Sequence, residues 1–235
     1  MNNRQRAPSR SLSSLPQFDP RTVPTVAQRE RLGAVAPHAL TPAALRQRFA
    51  QPPSWQPEPR EQPWLDGQVP AAAAVLVPIV TRARPSVLLT QRTSHLSTHS
   101  GQIAFPGGKV DAHDIDPTAT ALRETLEETG LAAAYVEVLG SLPSYTTVSA
   151  FDITPVVALV RPGFQLSPNA NEVADVFEVP LDFLMDPSNH RLHALLVDDV
   201  RREWFSMPYD GQGTERFIWG VTAAILRNFY RFLRA

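Results

Sequence analysis

Arg123-Glu124-Thr125-Leu126-Glu127-Glu128-Thr129-Gly130-Leu131 decides how this chain is read. Asp116-Pro117 precedes it and Gly130 interrupts it. An aspartate cap, a proline in the first helical position and a glycine stop predict a helix over Pro117–Thr129. On a 3.6-residue period, Glu124, Glu127 and Glu128 fall within an arc of ~100°. Ala119, Leu122 and Leu126 fall on the other side, and that side is expected to be buried. Arg123 stands four residues before Glu127, a spacing that lets it brace the carboxylate.

Such a helix is costly by itself. Like charges four residues apart destabilise a helix by ~0.2–0.5 kcal/mol. Glu127 and Glu128 also sit at the negative end of the helix dipole, which disfavours each by ~0.3–1 kcal/mol. A hard divalent cation reverses both penalties, because it takes oxygen ligands and shares them with substrate phosphates. A solvated acidic face is the plain alternative. The preceding loop, Phe105-Pro106-Gly107-Gly108-Lys109-Val110-Asp111 and on to Asp114, favours the cation. Tandem glycine lets the backbone approach a ligand, its carbonyls can add a metal ligand, and Lys109 can meet a phosphate.

Working outward, Ala71–Val80, Ser86–Arg92, Gln102–Phe105, Tyr135–Ser141 and Phe151–Val160 read as strands. Val173–Met185 reads as partly helical and broken at Pro180. Leu192–Val197 and Glu203–Met207 read as a hairpin, and Arg216–Leu233 as a long closing helix. The expected class is α/β (α+β): a mixed sheet with helices packed on it, over residues 71–235. Twelve of the 23 prolines lie in residues 1–70. Residues 36–70 therefore read as a proline-rich extension with one short helix, capped by Thr41 and running through Phe49, and with Trp55 and Trp64 pinning it to the body. Residues 1–35 read as a disordered tail. Arg4, Arg6 and Arg10 also give it the composition of an organelle transit peptide, but Pro8 and Pro16 interrupt any helix there.

Bulk properties narrow the functions. With 22 basic and 23 acidic residues the net charge is −1, so no general nucleic-acid or membrane-surface partner is implied. No cysteine is present, which removes thiolate catalysis and Cys-ligated zinc and fits a reducing, cytoplasmic location. The longest apolar run, Pro70–Val80, is about half the ~20 residues a membrane span needs.

Together these residues resemble the Nudix box. That pattern runs Gly, five residues, Glu, seven residues, then Arg-Glu-apolar-x-Glu-Glu-x-Gly-apolar. Here Gly108 is followed by five residues and Asp114, and Arg123–Leu131 supply the second half. Asp114 replaces Glu, eight residues separate it from Arg123, and Thr125 fills the apolar slot. Upstream, Leu88-Leu89-Thr90-Gln91-Arg92-Thr93, Gly101 and Phe105-Pro106-Gly107-Gly108 are similar to the signature of the coenzyme A diphosphatase branch. That branch shares the Asp and the longer spacing, but has an Arg where Ser97 stands and Ser or Ala where Thr93 stands. Asn171-Glu172-Val173, Val176–Leu181 and Ile218–Ala223 also look like it, so the resemblance covers roughly residues 70–230.

The resemblance implies a Nudix α/β/α sandwich and hydrolysis of the diphosphate of coenzyme A or acyl-CoA to 3′,5′-ADP and (acyl-)4′-phosphopantetheine. It implies Mg²⁺ or Mn²⁺ on Glu124, Glu127 and Glu128, with a Gly107 or Gly108 carbonyl completing the sphere. Arg123 is expected to orient a glutamate. Glu172 is the candidate general base or extra ligand, and Arg92 and Lys109 are candidates for substrate phosphate. His95 and His99 are not counted. The partner is a small nucleotide diphosphate, and a homodimer stays open. Two rivals remain: a Nudix activity on ADP-ribose, NADH or a nucleoside triphosphate, and a Nudix-fold binding protein without catalysis.

Overall fold

The computed structural model describes residues 12, 15, 18–28, 32–59, 65, 67–94, 101–197, 200–211 and 213–235. Trp64, Ser97, His95 and His99 lie outside them.

The elements in chain order begin with β1 (Thr25–Val26), α1 (Pro42–Ala50), β2 (Ala71–Val80) and β3 (Ser86–Arg92). They continue with β4 (Ile103–Ala104), β5 (Gly107–Lys109), α2 (Pro117–Thr129), β6 (Val136–Ser141) and β7 (Tyr145–Thr146). The rest are β8 (Phe151–Val160), β9 (Val173–Pro180), α3 (Leu181–Leu184), β10 (Arg191–Val197), β11 (Val200–Gly211), β12 (Thr214–Trp219) and α4 (Gly220–Arg234). The central sheet runs β4-β3-β2-β8-β6, with β9 on β3, β5 on β2 and β7 on β8. β2 and β8 are parallel over ten residue pairs, and the other pairings are antiparallel. α2 lies within the crossover that joins those parallel strands.

Alternation along β2 divides the core. Val77 and Ile79, with Val157 and Leu159 of β8, face α4 and α1 in the main cluster, together with Leu45, Leu226 and Phe229. Ala74 and Leu76, with Val156 and Ala158, face Ala121 of α2. The sheet is thus covered on both faces, which is the α/β/α sandwich. Its long strands are apolar on both sides for that reason. A second sheet, β1-β10-β11-β12, contributes Met207 and Ile218 to the α4 side.

Several expectations change. Val173–Pro180 is extended, with only Leu181–Leu184 helical. Residues 216–219 are strand, so the closing helix starts at Gly220. Residues 18–35, read as part of a tail, have seated side chains among those described. Phe18 packs against Trp204 and Trp219 at 5.8 and 5.9 Å between ring centroids. Thr25 and Val26 pair with His193 and Leu192, and Val35 is buried in the core. Apolar side chains spaced along this proline-rich stretch bury themselves without a helical or strand period. The extension behaves alike: Trp55 meets Phe232 at 5.5 Å, and Glu58 accepts from Arg227 at 2.6 Å.

Candidate functional site

α2 forms as its signals require. Asp116 accepts from Ala119 N at 2.8 Å, Pro117 opens the helix, and Gly130 ends it in the left-handed region at φ 75°. A Cβ on Gly130 would come within 2.7 Å of Ser167 N, so glycine also lets the following loop close in.

The buried face differs from expectation. Leu126 is 50 % exposed, and Ala121, Thr125, Glu128 and Thr129 are buried instead. The helix lies against β2 through small residues. Its threonine hydroxyls are satisfied within the helix: Thr125 Oγ1 donates to Ala121 O and Thr129 Oγ1 to Thr125 O, both at 2.6 Å. Thr125 in the apolar slot thus buries no unpaired hydroxyl. The close approach carries Glu124 and Glu128 against β5. A Cβ on Gly108 would stand 2.5–2.6 Å from the Glu124 carboxylate atoms, so a larger residue there would push that carboxylate out of place. Gly107 N donates to Glu128 Oε2 at 3.2 Å.

Asp114 finds its role in this geometry. It accepts from Arg123 Nε at 3.0 Å and Nη2 at 2.8 Å, from Thr120 Oγ1 at 2.9 Å and from Asp111 N at 2.8 Å. Hydrogen bonds from Arg123 hold its carboxyl below the usual range, and Arg123 is raised in turn. The rest of the guanidinium braces the box: Nη1 donates to Glu124 at 2.9 Å and Glu127 at 3.3 Å, and Nη2 to Lys109 O at 3.1 Å. Arg123 is fully engaged as an orienting residue.

Glu128 is only 5 % exposed. Burial pushes its carboxyl up to about 7; the Gly107 hydrogen bond and Arg92 oppose the shift, while Glu172 and Glu124 add to it. Burial also raises Glu124, against the pull of Arg123. Glu172 reaches this centre because its loop docks on the end of α2: Ser167 N donates to Thr129 O and Asn169 N to Glu128 O, both at 2.9 Å. Asn169 O then accepts from Glu172 N and Val173 N, turning the chain back into β9. The sequence reading missed Asn169; its signal was Pro168-Asn169, a turn pair before Glu172.

Arg92 projects from β3 on the α2 side. Its Nη1 is 3.9 Å from Glu128 Oε1, beyond hydrogen-bond distance, and its buried Nε has no acceptor among the described residues. The structure therefore gathers Glu124, Glu128 and Arg92 beside Gly107 and Gly108, with Glu172 near enough to act electrostatically on both carboxylates. It sets Glu127 on the rim, with its side chain 57 % exposed and paired to Arg123. It places the Lys109 side chain on the other face of the sheet, since Lys109 pairs with Ala73 while Gly108 pairs with Ala74. Among the described residues, no three acidic or imidazole groups already converge at metal-ligand distance. The donors nevertheless suit a hard cation: two desolvated carboxylates, all-oxygen ligands and a glycine cradle.

The chain is similar to known proteins. The family model described as the NUDIX domain matches residues 70–200. The Citrobacter koseri protein named "Uncharacterized Nudix hydrolase NudL" is 45% identical over 157 residues, 66% of this chain and 79% of that one. Its namesake in Escherichia coli strain K12 is 43% identical with the same coverage. A solved structure, a Nudix hydrolase from M. smegmatis named RenU, superposes with a TM-score of 0.42 at 24% identity, covering 55% of this chain and 80% of that one.

Proposed function

This chain belongs to the Nudix hydrolase family, and from that premise we propose that it cleaves the diphosphate linkage of coenzyme A or acyl-CoA. The products are 3′,5′-ADP and 4′-phosphopantetheine or its acyl form. The observation that carries hydrolysis is Glu128: a nearly buried carboxylate with one backbone donor, beside Glu124 and Glu172, is held at a cost that a bound cation removes. The coenzyme A assignment rests on the Leu88–Gly108 segment, whose Arg92 lies at this centre.

Glu124 and Glu128 would hold Mg²⁺ or Mn²⁺, with Glu127 joining from the rim and a Gly107 or Gly108 carbonyl completing the set. When bound, the cation neutralises phosphoryl charge and lowers the pKa of a water. Asp114 fixes Arg123, and Arg123 fixes the directions of Glu124 and Glu127. Glu172 accepts the proton of the attacking water. The Arg92 guanidinium, whose Nη1 stands 3.9 Å from Glu128 Oε1, takes a phosphate oxygen by a charge-assisted contact.

The test is a panel of coenzyme A, ADP-ribose, NADH and dATP, each with Mg²⁺, Mn²⁺ or chelator, with products resolved by chromatography. Coenzyme A should be cleaved in preference, and only with metal. Consumption of ADP-ribose with coenzyme A left intact would overturn the substrate and leave the reaction type standing.

A further inference from the structure

β5 presents two faces. Gly108 faces α2 and the carboxylates. Lys109, one residue on, faces the other way. The pairing register identifies its neighbours: Ala73 pairs with Lys109 and with Ile153, Ala71 with Phe151, and Tyr145 with Ile153. Paired residues share a face of a sheet, so Lys109, Ala71, Ala73, Phe151, Ile153 and Tyr145 lie on one side. The ammonium of Lys109 stands 5.4 Å from the centre of the half-buried Phe151 ring. Among the described residues no carboxylate pairs with it. Ala71 is small and exposed, which leaves the ring accessible from that side.

The turn before Phe151 is strained. Ala150 has φ 57° and is the sole non-glycine residue with positive φ among the described residues. It is held there by its neighbours: Ala150 N donates to Thr147 O at 3.2 Å, and Ala71 N donates to Ala150 O at 2.8 Å. Phe151 N donates to Thr147 Oγ1 at 3.0 Å, and Thr147 N returns a bond to Phe151 O at 2.7 Å. Backbone strain that persists because its surroundings over-determine it is concentrated at ligand clamps. Here it sets the position of one aromatic ring.

We infer that Phe151 is the stacking platform for the nucleobase of the substrate, and that Lys109 binds a phosphate on the same nucleoside. β5 has no strand on its outer edge among the described residues. A ligand whose diphosphate lies against Gly107 and Gly108 can therefore pass around that edge. A base on Phe151 displaces the ammonium from the ring and leaves it free for the phosphate. Arg123 ties this subsite to the carboxylates, because its Nη2 holds Lys109 O. The inference deepens the proposed function and rests on its assignment of a nucleotide substrate.

The experiment uses the full chain with Mg²⁺ and two probes, adenosine 3′,5′-bisphosphate and inorganic pyrophosphate, titrated calorimetrically. Phe151→Leu keeps an apolar side chain and removes the ring. It should weaken the bisphosphate about five-fold or more, the scale of one base stacked on an aromatic side chain, and leave pyrophosphate unchanged. Phe151→Trp should restore binding. On whichever of coenzyme A or ADP-ribose the wild type cleaves, Phe151→Leu should raise KM and hold kcat within about two-fold, as for a lost ground-state contact. If Phe151→Leu does not fold, Lys109→Gln should still weaken the bisphosphate alone. Folded variants with wild-type affinity, or with equal losses for both probes, would overturn the inference. Absence of turnover on every substrate would sink the proposed function, while the two-probe comparison would still decide this one.

Discussion

Arg227 and Glu128 are both charged side chains and both almost fully buried, in very different surroundings. Arg227 Nε donates to Glu58 at 2.6 Å, its Nη1 meets His190 Nδ1 at 3.2 Å, and its plane covers Phe205 and Tyr230 at 4.7 and 5.3 Å. Glu58 also accepts from Arg231 at 3.2 Å. His190 Nε2 lies 2.8 Å from Leu184 O. A carbonyl can only accept, so Nε2 carries the proton and Nδ1 accepts from Arg227. Burial, with Arg227 beside it, pushes His190 down to about 4 and keeps it neutral. Glu128 has one backbone donor, a guanidinium too far to bond and two carboxylates nearby. A buried ion that is fully paired holds structure together, here the extension to α4. One left underpaired marks a place where stability is given up for a ligand.

Removing a partner from the satisfied network should cost most. Arg227→Met strips Glu58 and His190 of their shared donor and should destabilise the protein by about 3 kcal/mol or more, read by denaturant unfolding. An unchanged unfolding midpoint would mean that the network is ornamental.

The two centres should also pull stability in opposite directions with pH, in metal-free protein. Glu128 is raised from 4.5 to about 7, so its contribution is fully present below 4.5 and is lost as pH rises to about 7. His190 is lowered from 6.5 to about 4, so its contribution is fully present above 6.5 and is lost as pH falls to about 4. Each is worth on the order of 3 kcal/mol over its window. Between about pH 4.5 and 6.5 the slopes should largely cancel in wild type. Glu128→Gln should then lose stability as pH falls, and His190→Gln as pH rises. Parallel stability curves for all three proteins would contradict the assignment.

Deletion of residues 1–35 sharpens the contrast between packed and unpacked segments. It removes Phe18 from between Trp204 and Trp219, the β1 pairing, and the buried Val35. At ~1.5–3 kcal/mol for each fully buried apolar side chain, the loss should be about 2 kcal/mol, seen as a lower melting temperature. A truncated chain that melts with wild type would restore the reading of the segment as a tail.

The limits of the sequence reading have physical causes. β2, β3, β8 and α2 were legible to the residue, because long apolar runs between turn signals and a capped, proline-initiated helix leave few alternatives. β9 misled because Val173, Val176, Phe177 and Pro180 repeat at three and four residues, which is helical spacing on an extended chain. Phe217 continues the apolar stripe of α4 back into β12, so the stripe alone starts the helix too early. Hydrophobicity points Leu126 to the core, but α2 meets β2 through Ala121, its threonines and Leu122 and leaves Leu126 outside. The same rotation separates the three glutamates. Glu128 is buried and Glu127 is exposed, a distinction the helical period alone does not make.

Glu127→Gln is therefore expected to matter least for the fold. The side chain is exposed and, among the described residues, bonded only to Arg123, which keeps Asp114 and Glu124 as partners. The change in metal-free stability should stay below about 0.5 kcal/mol. A larger loss would show that Arg123 depends on Glu127 for its position.

The most direct test of the whole account is Glu128→Gln, melted beside wild type in chelator and in excess Mg²⁺. The account predicts that the metal-free variant is the more stable at pH 7.5, that Mg²⁺ raises the melting temperature of wild type more than that of the variant, and that the folded variant loses about a hundred-fold or more in turnover. A metal-free variant less stable than wild type, or one that keeps wild-type turnover, would contradict it.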